Sequence, residues 1–125
     1  FAPAGAGASG GHPGAMLMKL LTAACTPGSP ALSEAEIAQQ LAGLPDWQLA
    51  DGALQASFRF DNFREVMDFA NAVAEIAEAQ DHHPDLILSY SVATVRWSTH
   101  SAGPAVTLND LICAAQVSHL PEARP

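Results

Sequence analysis

The sequence predicts an α+β fold, in which an antiparallel four-stranded sheet carries three helices on one face in the order αββαββα. Three stretches place apolar residues at the i, i+3, i+4 spacing of an amphipathic helix. The dipeptide Asp51-Gly52, a typical hairpin turn, separates two stretches in which apolar and polar residues alternate. Two further short strands are predicted between the second and third helices, so we expect a two-layer sandwich.

Length, composition and charge limit the classes of protein to consider. The chain has 125 residues, which favours one domain, and 49% of them are hydrophobic against 14% charged, as in globular proteins. The formal net charge of −8 argues against a nucleic-acid partner, because such proteins neutralise phosphates with clustered Lys and Arg. The same scarcity of basic residues argues against a membrane surface as a partner. Cys25 and Cys113 form no CxxC motif, so we expect no disulfide framework and a cytoplasmic protein.

The folded domain is expected over residues 20–120. Residues 1–15 are mostly Gly, Ala, Pro and Ser, which bury too little apolar area to offset the entropy of ordering. We therefore expect residues 1–19 to be a flexible leader or an expression remnant, and residues 121–125 to be a C-terminal tail. The apolar stretch 16–25 is broken by Lys19 and lacks a preceding basic region, so it is not interpreted as a secretory signal.

The first predicted elements are a helix and a hairpin. Ser33 and Glu36 form an S-x-x-E capping box, which predicts a helix over about residues 34–42. The hairpin follows, with alternating residues from Trp47 to Phe60 on either side of its turn.

The second half of the chain repeats this order. Asp61 is the predicted N-cap of a long helix over residues 62–80, whose apolar stripe is expected to face the core. Strands are predicted over residues 86–88 and 93–99. A second capping box, Thr107-Leu-Asn-Asp110, predicts the start of the last helix.

Three of the five histidines could form one site. His82 and His83 lie where the long helix ends, and His100 lies at the end of a predicted strand, on its polar face. Ends of elements are where chemistry is usually placed on a rigid scaffold. From spacing alone, however, a His pair at a helix C-terminus could simply be a favourable partner of the helix dipole. His100 alone could be an ordinary surface residue.

Carboxylates accompany these histidines. Glu78 and Asp81 precede the pair, and Asp110 opens the next helix. Each also has a structural interpretation: Glu78 could be a solvated helix residue, and Asp110 already has a role as the third residue of a capping box.

A longer series of residues resembles the signature of the pterin-4a-carbinolamine dehydratase family. The residues that carry it are, in order, Glu78, Asp81, His82, His83, Pro84, Tyr90, Ser98, Thr99, His100, Gly103, Thr107 and Asp110. The resemblance covers about residues 20–119 and includes a Cys- and Pro-rich start, an L-S-x-x-E-I stretch and an L-P-x-W stretch. The chain departs from the family pattern by one extra residue between His100 and Asp110.

The resemblance implies a hydro-lyase activity, 4a-hydroxytetrahydrobiopterin dehydratase, in the recycling of tetrahydrobiopterin. The partner would be a small-molecule pterin, with no cofactor and no metal, and the protein would be a homodimer or homotetramer. Implied catalytic residues are His82, His83 and His100. Residues implied to bind or orient the substrate are Glu78, Asp81, Pro84, Ser98, Thr99 and Asp110.

Two other classes of function stay open from the sequence. Some relatives in this family act as dimerisation cofactors of a transcription factor, so the same fold could be a non-catalytic interaction module. The three histidines could also be ligands of a catalytic zinc ion, although adjacent histidines seldom both reach one tetrahedral ion.

Overall fold

A four-stranded antiparallel sheet forms one layer of the molecule. The computed structural model describes residues 13–103 and 105–123. The strands are β1 (Gln48–Ala50), β2 (Ala53–Arg59), β3 (Asp85–Leu88) and β4 (Val92–Trp97), and they pair in the order β1-β2-β4-β3. The predicted α+β class and the antiparallel four-stranded sheet are therefore confirmed.

Among the described residues, four helices accompany the sheet, one more than predicted. They are α1 (Pro13–Thr22), α2 (Glu34–Leu41), α3 (Phe63–Gln80) and α4 (Leu108–Ser118), and a 3₁₀ turn spans His100–Ala102. Within the described chain, none of these helices has the length and apolar character needed to cross a membrane.

Helix α1 corrects the expectation for the start of the chain. Residues 13–19 were expected to belong to a flexible leader, but they are helical, and α1 packs against α4. Leu20 is buried, and Leu17 and Leu21 pack against the core. Burial of apolar side chains along this short stretch offsets the entropy cost of ordering it. The Gly- and Ala-rich composition of the neighbouring residues predicts the opposite balance. Residues 1–12 lie outside the described residues.

The core lies between the sheet and the helices that cover one of its faces. Alternation along β2 and β4 puts their apolar side chains on that face, with Leu54 opposite Trp97 and Ala56 opposite Val95. The apolar stripe of α3 packs on the same face, as its spacing predicted. Its fully buried members are Val66, Phe69 and Val73. The opposite face is largely polar along β2 and β4, where the exposed Ser57 and Thr94 hydroxyls hydrogen-bond each other at 2.8 Å.

Helix starts follow the predicted caps in two cases out of three. Both capping boxes form, at Ser33 and at Thr107. For α3, however, the N-cap is Asn62 rather than Asp61, because the Asn62 side chain accepts the Glu65 N–H at 2.9 Å. Both residues have side chains suited to the position, so composition alone did not separate them.

Candidate active site

The end of α3 sets the direction of the chain into the site. Asp81 adopts a left-handed conformation with φ of 51° after the last helical residue, and the His82 N–H donates to the Ala77 carbonyl at 3.1 Å. This is the hydrogen bond of a Schellman-type helix end, in which Gly is usual and Asp is tolerated. The reversal brings His82 against α4 and β4 instead of continuing along the helix axis.

His82 and Asp110 form a hydrogen-bonded pair. Nε2 of His82 lies 2.6 Å from Oδ1 of Asp110, whose side chain is fully buried, while that of His82 is 14% exposed. The second carboxylate oxygen, Oδ2, accepts from the Thr99 hydroxyl and from the Thr107 backbone N–H, each at 2.8 Å. An ionised carboxylate can only accept, so Nε2 of His82 is the donor. Nδ1 is then the ring nitrogen available to another molecule.

Trp97 fixes the plane of the His82 ring. The two rings are stacked, with their centroids 5.6 Å apart and their planes 15° apart, and Trp97 is fully buried in β4. The imidazole is thus held on one face by an indole and at one edge by a buried carboxylate. A side chain held in this way has one orientation, which a proton-transfer group requires.

A cavity of about 230 Å³ opens beside His82. The residues that line it are Cys25, Thr26, Pro27, Gly28, Gln80, Asp81, His82, Thr99, Ser101 and Asn109. Of the residues that the sequence singled out, Asp81, His82 and Thr99 are brought together here, and Asp110 lies directly behind His82.

Seven cavity residues were not singled out from the sequence. Gln80 directly precedes Asp81, Ser101 directly follows His100, and Asn109 directly precedes Asp110, so proximity to the signature was an available signal for these three. The four residues of segment 25–28 come from the other end of the chain. Their only signal was the Cys- and Pro-rich start that accompanies the family signature.

Other predicted site residues do not line this cavity. His83 pairs with Glu78, with Nε2 of His83 2.8 Å from Oε2 of Glu78, and the two side chains are 59% and 77% exposed. His100 is exposed, and its expected place at the end of a strand is wrong, because β4 ends at Trp97 and His100 begins a 3₁₀ turn. The reason is local: the Thr99 N–H bonds the Ala105 carbonyl, which ends the pairing with β2.

The half-buried Pro84 and Ser98 do not line the cavity either. Their predicted contacts with a pterin, like the catalytic roles of His83 and His100, stay predictions.

A zinc site has no ligand set in the part of the chain that the structure describes. No three His, Cys, Asp or Glu side chains there converge at a point where they could hold a metal ion. The nearest approach of two soft ligands is between Cys25 and Cys113, whose sulfurs are 3.7 Å apart. Burial raises the pKa of both thiols, so they favour the protonated form rather than the thiolate that binds a metal.

Comparisons with known proteins agree with the sequence signature. A family model described as pterin 4 alpha carbinolamine dehydratase matches residues 30–120. A protein of Chromobacterium violaceum, provisionally named a pterin-4-alpha-carbinolamine dehydratase, is 46% identical over 105 residues, which cover 82% of this chain and 96% of that protein. A Stenotrophomonas maltophilia protein with the same provisional name is 45% identical over 114 residues, covering 87% of this chain and 97% of its own.

A solved structure agrees as well. The crystal structure described as a transcriptional coactivator/pterin dehydratase from Brucella melitensis superposes with a TM-score of 0.67 at 33% identity, covering 70% of this chain and 95% of that one. Both the sequence and the fold thus point the same way, and the chain belongs to the pterin-4-alpha-carbinolamine dehydratase family.

Proposed function

We propose that this protein is a hydro-lyase that converts a 4a-hydroxytetrahydropterin to quinonoid dihydropterin and water, in the recycling of tetrahydrobiopterin. The observation that carries the proposal is the His82–Asp110 pair at the edge of the cavity, with Nε2 committed to the carboxylate. The family to which the chain belongs supports the choice of substrate.

The reaction needs one proton donor and one proton acceptor. The bond between C4a and the hydroxyl oxygen breaks, a proton joins the leaving hydroxyl to make water, and the N5 proton is removed as the C4a=N5 double bond forms. No electrons enter or leave the pterin overall. Imidazole has an ordinary pKa of about 6.5, so histidine can perform either transfer near neutral pH.

His82 is the best supported of the proposed catalytic groups. With Nε2 donating to Asp110, the neutral ring presents the Nδ1 lone pair as a base, and the protonated ring presents an acidic N–H at the same atom. The buried carboxylate holds the ring in one orientation, so that Nδ1 is positioned for proton transfer.

The other roles in the proposal follow the family resemblance. His83 and His100 complete the acid–base and substrate-contacting set, and Glu78 orients His83 through the 2.8 Å contact between them. Residues proposed to position the pterin are Asp81, Pro84, Ser98 and Thr99. We assign no metal and no cofactor to this reaction.

The test is a stopped-flow ultraviolet assay of carbinolamine dehydration. We expect His82→Ala, Asp110→Asn and His83→Ala each to lower kcat/KM by about 10² or more, the scale of losing an acid–base group. His119→Ala is the matched control, because His119 is an exposed histidine at the C-terminal end of α4, and its rate should stay unchanged. A wild-type rate in His82→Ala would remove the central element of the proposal.

A second candidate is a non-catalytic interaction module on the same fold. The Brucella protein is described as both a coactivator and a dehydratase, which favours keeping this alternative. The two are separated by His82→Ala, which should abolish dehydration but leave binding to a protein partner intact.

We also propose that the protein acts in the cytoplasm as a homodimer or homotetramer. Strand β3 lies at an edge of the sheet and carries the exposed Leu86 and Ile87, which suit pairing with a second copy.

A further inference from the structure

Segment 25–28 supplies four of the ten residues that line the cavity beside His82. We propose that this segment is a wall of the pterin site that determines how tightly the pterin binds, and that Asn109 and Gln80 are positioning residues that hold it in place. The inference rests on the proposed function, because it concerns how tightly that same site binds its pterin.

Asn109 holds the segment by its backbone. Its side chain is buried, and Oδ1 accepts the Thr26 N–H at 2.9 Å while Nδ2 donates to the Thr26 carbonyl at 2.8 Å. Oδ1 also accepts the Ser29 hydroxyl at 3.3 Å. The amide therefore satisfies both backbone groups of one residue, as a neighbouring strand would. If the segment moved away, the buried amide of Asn109 would lose its partners, so the segment is held firmly.

Gln80 holds the start of the segment. Its Oε1 accepts the Cys25 N–H at 2.8 Å, and its Nε2 donates to the Ala23 carbonyl at 3.2 Å and to Oε1 of Gln116 at 3.1 Å. Gln116 in turn donates to the Ala23 carbonyl at 3.2 Å. Backbone groups on both sides of Ala24 are thus bound by side chains of two helices.

Both positioning residues lie close in sequence to the proposed catalytic pair, His82 and Asp110. Gln80 is the last residue of α3, two positions before His82, and Asn109 directly precedes Asp110 in the first turn of α4. The helix ends that orient His82 and Asp110 therefore also fix the wall. A pterin in contact with segment 25–28 is located relative to His82 through these two side chains and not through the proton-transfer groups themselves.

This arrangement predicts that Asn109 and Gln80 affect pterin binding and not the chemical step. Substitution of either residue should weaken pterin binding while His82 and Asp110 keep their hydrogen bond. We expect the near-isosteric variants Asn109→Leu and Gln80→Met to raise KM, and the Kd for an oxidised, unreactive pterin, by about tenfold. The value of kcat should stay within about twofold, because no transition-state contact is removed.

The experiment combines turnover with direct binding. Steady-state dehydration gives KM and kcat, fluorescence titration with the oxidised pterin gives Kd, and thermal melts confirm that each variant folds. Gln39→Met is the matched control: Gln39 is an exposed glutamine of α2 that does not line this cavity, and all three constants should stay at the wild-type values.

Gly28 provides a second route if Asn109→Leu does not fold. Its φ is +76°, and a Cβ placed there would meet no atom within 4 Å. Asn tolerates this conformation, so Gly28→Asn adds a side chain to the wall without moving its supports. We expect the Kd for the oxidised pterin to rise at least about fivefold, while Ala31→Asn, at an exposed position outside the cavity, should have no effect.

The outcomes separate the two proposals. The proposal that segment 25–28 is a wall of the pterin site would be wrong if folded Asn109→Leu, Gln80→Met and Gly28→Asn kept the wild-type KM and Kd. A loss of kcat at unchanged KM would also contradict it. A wild-type protein that neither dehydrates nor binds a pterin would contradict the proposed function, and the wall inference with it.

Discussion

Asp110 performs two tasks with its two carboxylate oxygens. Oδ2 completes the capping box of α4 by accepting the Thr107 N–H, and Oδ1 binds Nε2 of His82. The sequence raised a structural and a functional interpretation of this residue as alternatives, and the geometry accommodates both. Because the cap fixes the carboxylate, the orientation of His82 depends on the first turn of a helix that is itself buried against the sheet.

At the same scale, the two thiols are expected to be unreactive. Burial raises the pKa of Cys25 and of Cys113 above the ordinary value, although the contact with Cys113 partly opposes this for Cys25. A raised pKa means less thiolate at a given pH, and thiolate is the nucleophile. At pH 8 we therefore expect iodoacetamide to modify Cys25 more slowly than an unfolded thiol, and Cys113 only after unfolding, as measured by mass spectrometry over time.

The denatured protein is the control for this reaction, and equal rates in the folded and denatured states would contradict the prediction.

The raised pKa values of the two thiols also have a consequence for stability. The folded state favours the protonated thiols. Their contribution to the free energy of unfolding is therefore fully present below the ordinary thiol pKa of about 8.5, and it is lost as the pH rises above that value. The melting temperature should accordingly fall on the alkaline side.

Among the elements, those with strong local signals were predicted and those that depend on distant contacts were not. Capping boxes, the Asp51-Gly52 turn and the stripe of α3 are set by neighbouring residues, and all of them form. Helix α1 was missed because its stability comes from packing on α4, at the other end of the chain. For the same reason the sequence indicated His82 and Asp110 but not the wall of the cavity, which is positioned by Asn109 across more than eighty residues.

The start of α3 offers a direct test of which side chain caps a helix. Asn62 accepts the Glu65 N–H, whereas Asp61 contributes only its backbone N–H, which donates to Oε1 of Glu65 at 3.1 Å. We expect Asn62→Ala to lower the free energy of unfolding by about 1 kcal/mol. Asp61→Ala, which keeps that backbone group, should change it by no more than about 0.5 kcal/mol. Urea denaturation of both variants measures the difference, and equal losses would contradict the assignment of Asn62 as the cap.

On the scale of the whole molecule, the sheet has two edges of different character. Strand β1 at one edge exposes the polar Gln48 and one large apolar side chain, Leu49 at 39%, while β3 at the other edge exposes two, Leu86 at 36% and Ile87 at 60%. An edge strand with exposed apolar side chains favours pairing with another strand, and a lysine there disfavours it. The proposed homo-oligomer would therefore be expected to form along β3 rather than along β1.

Substitution of one residue on each edge tests this choice. We expect Ile87→Lys to shift the protein toward the monomer, because pairing along β3 would bury a charged side chain near the contact. Gln48→Lys introduces the same charge on the other edge and should keep the wild-type mass. Size-exclusion chromatography with light scattering, at matched concentrations, measures both. A wild-type mass for Ile87→Lys, or a monomer for Gln48→Lys alone, would place the contact elsewhere. Since β3 follows directly after His82, His83 and Pro84, dissociation should also be compared with dehydratase activity, to learn whether a neighbouring copy supports the site.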